Sequence, residues 1–132
     1  MIVLDASAAV DFLVERAEPG TWVVERLAEV DSVHAPHLID IEVAAALRKL
    51  VALGEITEDL GAQALTDLAE MRMARYPALA LLDRIWELKN SLSAYDAAYV
   101  ALAEALEIPL VTTDQRLARA GGHGAEVTAF PG

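Results

Sequence analysis

Four carboxylates, Asp5, Glu42, Asp96 and Asp114, carry the chemical potential of this chain. Asp5 ends the apolar run Ile2-Val3-Leu4, and Asp114 ends Leu110-Val111-Thr112-Thr113, so each marks the stop of a buried parallel strand. Glu42 and Asp96 lie near the starts of two alanine-rich apolar helices. In an open α/β sheet the carboxyl ends of strands line the ligand crevice. That rule draws the strand-end acids together, and the helix-start acids can join them. Converging carboxylates repel one another unless a cation lies between them. A hard divalent metal, and the chemistry such metals perform on phosphates, is therefore the expectation.

The elements that must position these acids follow from periodicity and punctuation. Ile2 to Leu4 reads as a strand, and Ser7 as the cap of a helix reaching Glu15. Pro19-Gly20 reads as a break before a helix over Thr21 to Val30. A second strand spans Ser32 to Ala35, stopped by Pro36; a helix runs from His37 to Leu53 and ends at Gly54. Thr57-Glu58-Asp59 opens a helix to Glu70, and Arg72 to Tyr76 forms an edge strand. Pro77 starts a helix to Lys89, Ser93 caps another to Glu107, and Leu110 to Thr113 and Glu126 to Ala129 are the last strands. Strands separated by helices throughout predict a parallel sheet of four to five strands, covered on both faces through right-handed crossovers. With 132 residues and no linker or repeat, residues 1–132 form one expected domain.

Each acid also has a purely structural explanation. Asp5 suits a turn into the first helix, and Asp114 suits the cap of a short helix at Gln115-Arg116-Leu117. Ser93-Ala94-Tyr95-Asp96 is a capping box, and acids such as Glu42 near helix starts are favoured by the macrodipole. Asp40 competes with Glu42. Two residues apart on a helix they point to different sides, and Asp40 is the expected solvated acid. The segment Ala97 to Ala103 carries no charge, so its helix is buried all round and Asp96 heads a buried stripe through Tyr99, Val100 and Ala103. A carboxylate there needs an opposite charge, and no Lys or Arg lies near it in sequence.

Composition narrows the setting. The net charge is −11, and with the four acids set aside 17 acidic residues still face 10 basic ones. Such a surface lacks the basic stripe of a protein that coats nucleic acid by counterion release, so any nucleic acid is gripped locally. There is no cysteine, which removes disulfides and thiolate sites. The chain is 55% hydrophobic, but its apolar stretches are cut by charge before reaching the roughly 18 residues of a membrane span. With no basic leader ahead of Asp5, the cytoplasm is the expected location.

The ordered set Asp5-Ala-Ser7, Pro36 with Glu42 six residues on, Leu92-Ser93-Ala94-Tyr95-Asp96-Ala97-Ala98-Tyr99 and Leu110-Val111-Thr112-Thr113-Asp114 resembles the PIN-domain nucleases, specifically VapC-type toxins of bacterial toxin and antitoxin pairs. The resemblance covers nearly the whole chain. It implies a three-layer α/β/α sandwich and an endoribonuclease activity dependent on Mg²⁺ or Mn²⁺. Asp5, Glu42, Asp96 and Asp114 match the family's active-site acids, and Ser7 and Thr112 its supporting hydroxyls. Asp5 and Asp96 are then the principal metal ligands, with Asp114 and Glu42 completing the shell or serving a second ion. An RNA substrate, a cognate VapB-like antitoxin and a homodimer are also implied.

Competing classes fit less well. A receiver domain places an acidic pair early and a lysine late, whereas Asp5 has no acidic neighbour and no lysine follows Asp114. A haloacid-dehalogenase-like phosphatase needs a second acid where Ser7 stands. A catalytically silent PIN-like binding module remains, opposed by the complete acid set. Other residues are read as structural: His34, His37 and His123, the scattered Trp22, Trp86 and tyrosines, and the basic group Arg72, Arg75, Arg84 and Lys89, expected on a solvated face.

Overall fold

The computed structural model describes residues 1–132 and places four acids around one sheet. Five parallel strands, β1 (Ile2–Leu4), β2 (Val33–Pro36), β3 (Ala74–Tyr76), β4 (Leu110–Thr112) and β5 (Val127–Ala129), lie in the order β3-β2-β1-β4-β5. β1 is the middle strand, and all three of its residues are buried, as a strand covered on both faces must be.

Between strands come α1 (Ala6–Leu13), α2 (Ala17–Ala28), α3 (Leu38–Ala52), α4 (Glu58–Glu70), α5 (Leu82–Glu87), α6 (Ala94–Leu106) and α7 (Gln115–Arg119). The chain steps outward from β1 to β2 to β3, then returns past β1 to β4 and β5. Right-handed crossovers put α1 to α4 on one face and the later helices on the other, completing three layers. α1 packs on α2 and α3, α3 on α4, and α6 on β1, β2 and β4. The direction of winding reverses between β1 and β4, which makes the gap beyond their carboxyl ends the switch point of the sheet.

One hydrophobic cluster joins the layers through Val3, Leu4, Ile39, Val43, Tyr99, Val100 and Leu110. All seven residues from Ala97 to Ala103 are buried, as their uncharged run predicts. β2 and β3 are further tied by His34, whose Nε2 lies 2.8 Å from Ser32 Oγ and whose Nδ1 lies 2.7 Å from Tyr76 Oη.

Several boundaries differ from the sequence expectation, each for a physical reason. Pro19-Gly20 does not break a helix; Pro19 sits in the first turn of α2, where a backbone N–H has no intrahelical acceptor to lose, and the Gly20 N–H donates to Arg16 O. Ser7 is not a cap. Asp5 takes the position before α1, without a side-chain capping bond, and Ser7 lies inside the first turn. Pro36 is the last residue of β2 rather than its stop. Pairing with β1 reaches only His34, so the missing Pro36 N–H costs no bond to the central strand. The segment after Pro77 forms a 3-10 turn (Leu79–Leu81) and the short α5 instead of one helix to Lys89.

The absence of a side chain at Gly20 sets the spacing of α1 and α2. A Cβ there would stand 2.7 Å from the Asp11 backbone oxygen and 3.3 Å from the Glu15 carbonyl carbon. Gly20→Ala should therefore destabilise the fold by about 1–3 kcal/mol despite alanine's better helix propensity. Chemical denaturation checks this, and a variant as stable as the parent would contradict the close packing.

Candidate metal centre

Asp5 lies one residue beyond β1, 4% exposed, and its backbone N–H donates to Val111 O of β4 at 3.0 Å. Ser7 Oγ donates to Asp5 Oδ2 at 2.6 Å, and Thr112 Oγ1 donates to the same oxygen at 2.7 Å. Each hydroxyl has one proton, so the 3.2 Å approach of Ser7 Oγ to Thr112 Oγ1 is a contact between two oxygens that have both given theirs to Asp5. The hydroxyls also accept: Thr113 N–H donates to Ser7 Oγ at 3.3 Å, and Asp114 N–H to Thr112 Oγ1 at 2.9 Å. One carboxylate is thereby coupled to the backbone that carries another.

The other acids approach from three helices. Glu42, half-buried on α3, accepts from Tyr99 Oη at 2.7 Å through Oε1. Asp96 opens α6, where Ser93 Oγ accepts its backbone N–H at 3.1 Å. Asp114 caps α7, accepting the Arg116 N–H at 2.9 Å and standing 3.6 Å from the Arg116 guanidinium. Asp96 thus lies in the first turn of α6, and Asp114 is the cap of α7.

Burial, with a smaller contribution from neighbouring acids, raises the proton affinity of Asp5, Glu42 and Asp96. Burial pushes the Asp5 carboxyl above its ordinary range; the two hydroxyl bonds oppose this, and the Asp96 charge adds to it. Burial likewise raises Glu42, resisted by Tyr99 and reinforced by Asp5 and Asp96. Asp96 is raised by burial and by Asp114, while Ser93 and Arg116 pull it down. The Arg116 guanidinium on α7 pairs with Asp114, and its charge favours ionised Asp96 from there.

The fit to a metal has two sides. Four carboxylates at a sheet switch point form a hard-oxygen donor set suited to Mg²⁺ or Mn²⁺. In this arrangement, however, no three acidic or histidine side chains are gathered closely enough to share an ion. Asp5 is held by its two hydroxyls and Glu42 by Tyr99, whereas Asp96 and Asp114 sit on helix first turns.

Asp40 and Glu42 do point apart. Asp40 is not simply solvated, because Arg75 pairs with both its oxygens at 2.8 and 2.9 Å. Arg84 similarly clasps Glu104 at 2.7 and 2.9 Å, and Lys89 lies over Trp86, so most of the expected solvated basic group is engaged within the protein. A cleft of about 620 Å³ runs from Ser7, Glu42 and Thr113 along α1 and α3 to Arg16 and Lys49.

Tyr99 is the site residue that sequence reasoning missed. A lone phenol within Ala97 to Ala103 was a signal, since a buried hydroxyl requires a partner.

Three raised carboxyls impose a pH dependence. Each binds its proton more tightly folded than unfolded, so the metal-free protein loses stability as pH rises from the ordinary carboxyl range through the raised folded values. Asp5→Asn removes the most buried of these charges. Its melting temperature in chelator near neutral pH should rise by roughly 3–6 °C, about 1 kcal/mol for a domain of this size, with a flatter pH profile. Melts between about pH 5 and pH 8 measure it, and an unchanged profile would contradict the assigned burial.

Comparison with known proteins identifies the family. The PIN domain profile matches residues 2–123. Ribonuclease VapC9 of Mycobacterium tuberculosis is 41% identical over 131 residues, covering 99% of each chain. Ribonuclease VapC12 of the same species is 39% identical over 127 residues, 96% of this chain and 97% of its own. Among solved structures, VapC20 of Mycobacterium tuberculosis, a Sarcin-Ricin loop cleaving toxin, superposes with a TM-score of 0.71 at 13% identity, over 89% of this chain and 93% of its own. Rickettsia felis VapBC2, bound to a promoter DNA fragment, gives 0.69 at 15% identity over 98% and 99%. These two share the fold. With the profile spanning four of the five strands and all four acids, and VapC ribonucleases as full-length relatives, the chain belongs to the PIN-domain family.

Proposed function

We propose that this chain is a metal-dependent endoribonuclease and the toxin of a toxin and antitoxin pair, acting in the cytoplasm with residues 1–132 as one PIN-like unit. The observation that carries this reading is Asp5, buried at the switch point, clamped by Ser7 and Thr112 and lying in the field of Asp96. Relatives at about 40% identity that are named VapC ribonucleases support the substrate class.

Asp5 and Asp96 would hold Mg²⁺ or Mn²⁺, with Asp114 and Glu42 completing the set. When bound, such an ion supplies Lewis acidity that activates water near neutral pH and steadies charge on phosphate oxygens. Ser7 and Thr112 fix the orientation of Asp5. Glu42, its proton affinity raised by burial and neighbouring charge, is suited to orient the attacking water and take its proton. Attack at phosphorus with departure of the 3′ oxygen leaves 5′-phosphate and 3′-hydroxyl ends. Arg16 and Lys49, in the cleft that leads away from Glu42, are placed to hold flanking phosphates on an otherwise acidic protein.

A cognate VapB-like antitoxin and a homodimer belong to the same proposal. Leu79, Leu82 and Trp86 are more than half exposed, the kind of apolar surface that a partner covers. No helix is long and apolar enough to cross a membrane. The wide spacing of the acids favours one rival, a silent binding module.

One assay separates them. Antitoxin-free protein incubated with transfer, ribosomal and messenger RNA should cleave at least one class with Mg²⁺ or Mn²⁺ and none in chelator. Asp5→Asn and Asp96→Asn should each lower the rate more than about 100-fold, beyond what loss of an outer-shell partner costs. Cleavage surviving in both variants would overturn the site assignment, and no cleavage of any RNA would favour the binding module.

A further inference from the structure

Asp5, Glu42 and Asp114 each accept a hydrogen bond from a donor of their own. Asp5 has the hydroxyls of Ser7 and Thr112, and Asp114 has the Arg116 N–H. Glu42 has no serine or threonine within a helical turn on α3. Its donor comes instead from 57 positions away, the phenol of Tyr99 on α6.

We infer that Tyr99 is a positioning residue for Glu42, its hydroxyl reaching out of the core to fix that carboxylate beside Asp5 and Asp96. Tyr99 is wholly buried, in a stretch otherwise made of alanine, valine and leucine. A phenylalanine would fill the same space without requiring a partner, so the hydroxyl costs free energy unless it is used. Its hydrogen-bonding partner is Glu42 Oε1, at 2.7 Å. The bond joins α3 and α6, which come from opposite layers of the sandwich and meet at the crevice. Because the donor rises from packed core and not from a mobile loop, the Glu42 carboxylate is held before any ion or RNA arrives.

The inference deepens the metal-nuclease reading and rests on it. Its test is a four-protein cycle: parent, Tyr99→Phe, Glu42→Ala and the double variant, each with Mn²⁺ affinity measured by electron paramagnetic resonance and thermal stability by calorimetry. Tyr99→Phe should keep the fold, with a melting temperature within a few degrees of the parent, while weakening Mn²⁺ binding about tenfold or more. In the Glu42→Ala background the same substitution should change Mn²⁺ binding less than about twofold, because the group through which Tyr99 acts is gone. It should also restore stability there, since Glu42→Ala orphans a buried hydroxyl that phenylalanine lacks.

Parental Mn²⁺ affinity in Tyr99→Phe would overturn the inference while leaving the metal reading intact. An equal loss in both backgrounds would also overturn it, showing an effect through packing. A parent protein that takes up no Mn²⁺ would overturn the metal reading and this inference together.

Discussion

Bringing carboxylates together out of water is unfavourable, because each loses hydration and gains the repulsion of the others. Much of the molecule is arranged around that constraint. Asp5 stands at the end of the central strand, nearly excluded from solvent and within the field of Asp96. Two hydroxyls and a strand-to-strand bond hold it there. The hydroxyls offset part of the burial cost, as the opposing effects on the Asp5 proton affinity show. They also transmit position, since Thr112 and Ser7 accept from the backbone that leads into Asp114.

The fold supplies what local structure cannot. A parallel sheet that reverses its winding between β1 and β4 leaves a crevice at their carboxyl ends, and the layers on both faces deliver helix starts to it. α6 contributes twice, with Asp96 in its first turn and Tyr99 one turn later. The price of such an arrangement is an electrostatically strained centre that a divalent cation would relieve, and that strain makes the stability of the metal-free protein fall as carboxyls ionise.

Much of this was legible in the sequence because the signals were backbone signals. Apolar runs ending in acid marked β1 and β4, the uncharged Ala97 to Ala103 marked a helix buried all round, and Ser93 marked its start. Boundaries failed where tertiary packing overrode punctuation. Gly20 breaks nothing because α1 needs its missing side chain, and Pro36 ends β2 beyond the reach of pairing with β1. Side-chain partners separated by long stretches of chain were not legible: Asp40 with Arg75 and Glu42 with Tyr99 depend on crossings that periodicity does not encode. The role of Ser7 shows the same limit, since a serine after a strand reads as a helix cap while the fold uses its hydroxyl on Asp5.

The central claim is that these four carboxylates form one metal site. Crystals of the protein soaked in Mn²⁺ and measured at the manganese absorption edge test it most directly. An anomalous peak bounded by Asp5, Asp96, Asp114 and Glu42 is expected, absent from crystals of Asp5→Asn. A peak elsewhere with none among the acids, or no peak at Mn²⁺ concentrations that support RNA cleavage, would contradict it.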